Sequence, residues 1–127
     1  MSSRFDPLKA IWKSQFFFET GMIFVDDPKI QFDLRTMTDT GDASSCTHGD
    51  ERISGQAFIA DNPPITHSIK FNTPDGKKFR GFAIRDEQSG EIRKIVGAAK
   101  FPSAVRFKSK TAAAAQDEAT WVATKNP

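Results

Sequence analysis

The side chains best suited to chemistry cluster in one polar segment, residues 38–51. The segment holds the only cysteine, one of the two histidines and four acids of the 127-residue chain: Asp39, Asp42, Cys46, His48, Asp50 and Glu51. Zinc needs about four nitrogen or sulfur ligands, and a hard cation needs several converging oxygens. Two histidines and one cysteine cannot complete a zinc site, and the segment lacks a calcium-loop spacing. We therefore predict a solvated acidic loop, with no metal, cofactor or catalytic residue.

Within this loop, the tripeptide Asp39-Thr40-Gly41 resembles the active-site sequence of aspartic proteases, and Ile95-Val96-Gly97 resembles the apolar element behind that site. The resemblance implies a short β-rich chain that acts as a homodimer. Thr38 stands where that family has an apolar residue, and Asp42 adds a second charge beside the carboxylate. An enzyme is therefore kept as an alternative, for which the candidates besides Asp39 are Asp42, His67 and Arg35.

A second cluster alternates cations with phenylalanines. Its cations, which could bind nucleic acid or another polyanion, are Lys70, Lys77, Lys78, Arg80 and Arg85. Residues 80–84 (Arg-Gly-Phe-Ala-Ile) resemble the RNP1 strand of RNA-recognition motifs, and residues 57–63 resemble RNP2, strands that present stacking aromatic rings in that family. An alternating strand at residues 65–72 stands where that fold has a helix, so we do not expect the fold itself. Single-stranded nucleic-acid binding through this basic sheet is one alternative function.

Three consecutive phenylalanines suggest an interface. Successive side chains of a strand point to opposite faces, so Phe16, Phe17 and Phe18 cannot all enter one core from one strand. Together with Trp12, they form a candidate contact surface between copies of the chain. The leading prediction is accordingly a non-catalytic binding protein that works as a subunit of a homo-oligomeric assembly.

A further alternative is a lipocalin-like carrier of a small apolar molecule. The chain has twelve Phe, two Trp and no Tyr, and this composition favours a packed interior or an apolar pocket. Alternation places His67 on the inward face of its strand, and we name His67 and Arg35 as polar anchors of such a pocket.

Bulky residues typical of strands predict strands at residues 15–19 and 22–25, and a period of two in the hydrophobic pattern predicts strands at residues 30–34, 65–72 and 104–110. Flanking turns delimit strands at residues 77–86 and 91–101, and a final strand is predicted at residues 118–125. Turns at residues 73–76 and 88–90 join three of them into an antiparallel meander. Asp6-Pro7 followed by apolar Leu8, Ile11 and Trp12 predicts a short N-terminal helix. We therefore expect an all-β fold, a small antiparallel barrel or sandwich of about seven to nine strands, with that helix.

Length and charge set the remaining limits. At 127 residues we expect a single domain spanning residues 1–127, with a net charge of +2. Residues 1–67 carry a net charge of −4 and residues 68–110 a net charge of +7, an asymmetry that favours an anionic partner or self-association. The sequence shows no signal peptide and no apolar run of about 20 residues, so we expect a cytoplasmic protein without a membrane partner.

Overall fold

The computed structural model describes residues 3–18, 21–23, 30–102 and 118–125. It confirms the all-β class. The strands, numbered along the chain, are β1 (Ile11–Phe18), β2 (Gly21–Ile23), β3 (Phe32–Asp33), β4 (Thr47–His48), β5 (Glu51–Arg52), β6 (Ser54–Asn62), β7 (Ile65–Asn72), β8 (Lys78–Arg85), β9 (Ile92–Lys100) and β10 (Glu118–Lys125).

Nine of these strands form one curled antiparallel sheet, a half-barrel rather than a two-sheet sandwich. Their order is β5-β4-β3-β1-β10-β9-β8-β7-β6, and β2 pairs with β1 beside this path. The predicted meander is β7, β8 and β9, and its first turn contains Gly76 at a φ of +95°. Although β5 and β6 lie at opposite ends of the order, only Ile53 separates them in sequence, so the two ends of the sheet are linked by the chain itself.

The predicted N-terminal helix is present only as a 3-10 turn, Asp6–Leu8. No side chain caps it, and Ile11 and Trp12 belong to β1 instead. The indole N–H of Trp12 donates a hydrogen bond to the Leu8 carbonyl oxygen at 2.9 Å. The two residues are therefore in contact, although Trp12 lies in a strand and not in a helix that continues from Leu8. Burial of Trp12 in the sheet outweighs the weak helical spacing, since a helix this short gains little from propensity.

The acidic loop is more ordered than its sequence suggests. Within it, the side chains of Ala43, Cys46 and His48 are at most 3% exposed. Asp42 forms an isolated bridge with Gln56, and residues 41–43 exchange backbone hydrogen bonds with β6. The segment thus covers the outer edge of β6, a nine-residue strand that the sequence pattern does not predict.

Aromatic side chains fill the concave side of the sheet. The Phe32 ring lies at its centre, with centroids 4.9 Å from Phe79, 5.3 Å from Trp121 and 5.5 Å from Phe71. The indole N–H of Trp121 donates to the Ser14 hydroxyl at 3.0 Å, which satisfies a polar group that would otherwise be buried without a partner.

The strand predicted at residues 104–110 lies outside the described residues. The helical structure within the described ranges cannot span a bilayer, because none of it is long and apolar enough.

Candidate functional site

The register of β6–β10 places one outward residue of each strand in a continuous row across the convex face. Phe58 pairs with Ser68, Ser68 with Phe82, Phe82 with Val96, and Val96 with Val122. We call these five residues the aromatic row. No register shift falls within it, so the side chains lie side by side.

The two phenylalanines of the aromatic row are unusually exposed. Phe58 and Phe82 are each 48% exposed, whereas their inward neighbours Ala57 and Ala83 are fully buried. Strands are spaced by about 4.8 Å, so the two rings stand about 10 Å apart with the small Ser68 side chain between them. A pair of large exposed aromatic side chains on one face indicates a contact surface.

A second row, of mostly polar and basic residues, runs parallel to the aromatic row. On every strand it is displaced from the aromatic row by two residues toward the same edge of the convex face. Gln56, Lys70, Arg80, Ala98 and Thr120 pair in the same register, and we call them the basic row. Two residues along a strand correspond to about 7 Å, so the basic row lies directly beside the aromatic row.

The convex face has a strong excess of positive charge. The outward positions of β7–β10 carry five cations, Lys70, Lys78, Arg80, Lys94 and Lys100, and one acid, Glu118. Among the described residues, these five cations form no ion pair and no side-chain hydrogen bond. Elsewhere the cations are commonly neutralised, as in the ion pairs Arg4–Asp61, Arg35–Asp33 and Arg93–Glu91.

Of the five cations predicted to bind an anion, the structure brings three together on the convex face: Lys70, Lys78 and Arg80. Lys77 lies in the β7–β8 turn, where its ammonium group is 3.2 Å from the Asp75 carboxylate. Arg85 ends β8 and lines a separate cleft.

Three of the four residues proposed for a contact between copies are core residues. Trp12, Phe16 and Phe18 are at most 9% exposed, because alternation in β1 turns all three toward the concave side. A buried side chain cannot contact a second molecule, so Phe17, at 39% exposed, is the member of the set that remains accessible.

His67 and Arg35 do not share a site. The Arg35 guanidinium donates two hydrogen bonds to the Asp33 carboxylate, from Nε at 2.9 Å and from Nη2 at 2.8 Å. These hydrogen bonds lower the pKa of the Asp33 carboxyl. His67 is buried near the opposite end of the sheet order, where its ring nitrogens contact the Thr66 hydroxyl at 2.8 Å and the Arg4 carbonyl at 2.9 Å. Burial lowers the pKa of the His67 imidazole.

The remaining enzyme candidates are engaged in local contacts. Asp39 accepts a hydrogen bond from Lys9 at 2.6 Å, and Asp42 accepts one from the Ser44 amide at 2.9 Å. Burial raises the pKa of the Cys46 thiol, so it is not an activated nucleophile. Within the described ranges, no group of three or more histidine, cysteine or acidic residues has the arrangement of a metal site.

Phe58 is the site residue that sequence reasoning does not single out. In its strand, Ser54–Asn62, buried and exposed residues do not alternate, and Ala57 is the one fully buried position. The signal that could have revealed it is its place in the RNP2-like segment, since the RNP1-like segment contains Phe82.

No protein-family model matches this sequence, and comparisons with curated proteins and with solved structures found no significant match.

Proposed function

We propose that the convex face of β6–β10 binds single-stranded nucleic acid. The bases stack on Phe58 and Phe82, and the phosphates lie along Lys70 and Arg80. One observation carries the proposal: two half-exposed phenylalanine rings lie in register beside a row that contains uncompensated cations.

The charge of the convex face supports a polyanion as the class of partner. Five cations against one acid on β7–β10 create a field that attracts a polyanion and accelerates its approach. A second copy of the same face would bring like charges together, which costs binding free energy. A polyanion therefore suits the convex face better than a face-to-face dimer does.

The exposed rings favour a single strand over a duplex. Bases inside a duplex are already stacked on each other, whereas a single strand can unstack its bases onto aromatic side chains. Stacking contributes about 1–3 kcal/mol per base and tolerates any base. With bases over the aromatic row, the sugar–phosphate chain falls over the basic row, about 7 Å away. The strand would then run across the β-strands rather than along them.

Fluorescence anisotropy with a labelled oligo(dT) of about 12 nucleotides, a length within the usual site sizes of single-strand binding domains, tests the proposal. We expect Phe82→Ala and Phe58→Ala each to weaken binding about 5- to 150-fold, the equivalent of one lost stacking contact. Phe82→Tyr keeps the ring and should bind like the wild type. Equal affinity of wild type and Phe82→Ala would contradict the proposal.

The contribution of the cations can be measured separately, from the salt dependence of binding. We expect Arg80→Gln to reduce the slope of log K against log salt concentration by about 0.7, the loss of one phosphate contact to a single strand. Arg35→Gln is the matched control, because it removes the same charge from a residue already paired with Asp33. If both variants change the slope equally, the effect reflects net charge and not this face.

A second candidate is self-association through Phe17. This side chain is 39% exposed and stands beside Thr120 at the β1 end of the basic row. An exposed aromatic residue at this position could anchor a small contact between copies, which leaves the aromatic row free.

A further inference from the structure

A cleft of about 290 Å³ lies at the end of the β6–β7 hairpin, apart from the convex face. Its apolar wall includes Pro63, Pro64 and Ile65 from the hairpin and Pro7 from the N-terminal segment. The charged residues that line it are Arg4, Asp61 and Arg85.

The N-terminal segment forms one wall of the cleft and is fixed by several contacts. The Nε2–H of His67 donates to the Arg4 carbonyl at 2.9 Å, since a carbonyl can only accept. The His67 Nδ1 then accepts from the Thr66 hydroxyl at 2.8 Å. The Ser3 hydroxyl donates to the Asp39 carbonyl at 2.8 Å. The wall is thus in place before any ligand enters, which lowers the entropic cost of binding.

The two arginines differ in their charge balance. Arg4 is paired with Asp61 at 2.8 Å. Arg85 forms no ion pair and no side-chain hydrogen bond among the described residues, and its backbone is fixed by an N–H bond to the Pro64 carbonyl at 2.9 Å. The cleft therefore offers one uncompensated positive charge beside an apolar wall.

We propose that this cleft binds a small organic monoanion, whose carboxylate pairs with Arg85 and whose apolar part packs against the prolines and Ile65. A planar guanidinium group matches the two oxygens of a carboxylate. One free positive charge suits a monoanion, because a dianion would need Arg4, which Asp61 already neutralises. The volume lies at the lower end of the range of ligand pockets, so the molecule is compact.

Two-dimensional NMR titration of the full chain with sodium hexanoate tests the proposal, and hexan-1-ol serves as the uncharged probe of equal length. We expect hexanoate to shift the amide signals of residues 65–67 and 85, and hexan-1-ol to bind at least about tenfold more weakly, since it cannot pair with Arg85. Arg85→Gln should remove this preference, Arg85→Lys should keep part of it, and the control Arg35→Gln should leave it unchanged.

Three outcomes would overturn the proposal: equal binding of hexanoate and hexan-1-ol, no shift of these amides, or shifts confined to residues 58 and 82. Phe82→Ala should leave hexanoate binding unchanged. A failure of the nucleic-acid proposal and a failure of this one are therefore separate results.

Discussion

At the residue scale, His48 carries the clearest prediction for stability. Its ring lies against Phe32 and Phe79, with centroids 4.4 and 5.1 Å away, and its Nε2 has no hydrogen-bond partner within the described structure. Burial, the largest effect, lowers the pKa of His48 from 6.5 to about 4. Between pH 6.5 and about 4, the unfolded chain therefore binds a proton at this residue that the folded chain does not bind.

We expect the free energy of unfolding to decrease as the pH falls from 6.5 to about 4, and this contribution to level off below that range. A shift of this size corresponds to at most about 3 kcal/mol. Urea denaturation across the range measures it. His48→Leu, which keeps an apolar side chain between the rings, should give a flatter profile. Some slope should persist, because the pKa of His67 is lowered as well. Identical profiles for wild type and variant would contradict the assignment to His48.

At the scale of elements, glycines allow β8 and β9 to curl. Gly81 and Gly97 pair directly, and the indole of Trp121 packs next to Gly81 on the concave side. A Cβ at Gly97 would lie 1.9 Å from the Arg80 carbonyl oxygen and 2.4 Å from the Gly81 Cα, both backbone atoms. Such close approach of neighbouring backbones is where glycine is required in a bent strand.

We expect Gly97→Ala to lower the free energy of unfolding by about 3 kcal/mol or more, or to prevent folding, because the neighbouring backbone must move. The matched control on the same strand is Ala98→Ser, which faces outward and should change stability by less than about 0.5 kcal/mol. Urea denaturation of both variants measures this difference. Similar denaturation midpoints for the two variants would contradict the prediction, because they would show that the sheet can relax around the new methyl group.

The period-two pattern predicted β7 well, because this strand has one buried and one exposed face, and the turns at residues 73–76 and 88–90 located β8 and β9. The same pattern placed Phe71 on the inward side, where it is 1% exposed. It missed β6, whose small and polar residues, such as Gly55 and Gln56, carry little hydrophobic signal. The three-residue spacing of Leu8 and Ile11 suggested a helix. The segment from Ile11 onward forms a strand because Trp12 packs in the core, and this tertiary contact is not visible in the sequence.

The candidate site was harder to predict than the fold, since it depends on the exact register between neighbouring strands. Lys70 and Arg80 are recognisable as a basic cluster from sequence alone. Their alignment beside Phe58 and Phe82 is fixed by cross-strand pairing, which single-sequence patterns do not contain. The interface prediction did not separate Phe17 from Phe16 and Phe18, because alternation shows that the three cannot share one face but not which of them faces the core.

At the scale of the whole molecule, five of the eight cations that the structure describes in residues 68–102 lie on the convex face. The rings on the concave side leave the sheet interior packed, with the Phe32, Phe79 and Trp121 centroids about 5 Å from one another. A ligand inside the half-barrel would have to displace these side chains. Binding at the outer surface is therefore the mode of action that we favour.

Nucleic-acid binding and self-association predict different masses for the intact protein. Native mass spectrometry of the 14.1 kDa chain, purified without nuclease and at low salt, distinguishes them. If the convex face binds single strands, we expect heterogeneous nucleotide adducts that disappear in Phe82→Ala and at high salt, because affinity for phosphates falls steeply with ionic strength.

Self-association through Phe17 would instead give integral multiples of the chain mass that persist in Phe82→Ala and are lost in Phe17→Ser. Serine is the informative replacement here, since it removes the ring without changing the charge of a face that also attracts polyanions. Multiples that disappear in Phe82→Ala would assign the contact between copies to the aromatic row. A monomer without adducts under all conditions would exclude both nucleic-acid binding and self-association through the convex face. The cleft lined by Arg85 would then be the remaining candidate binding site.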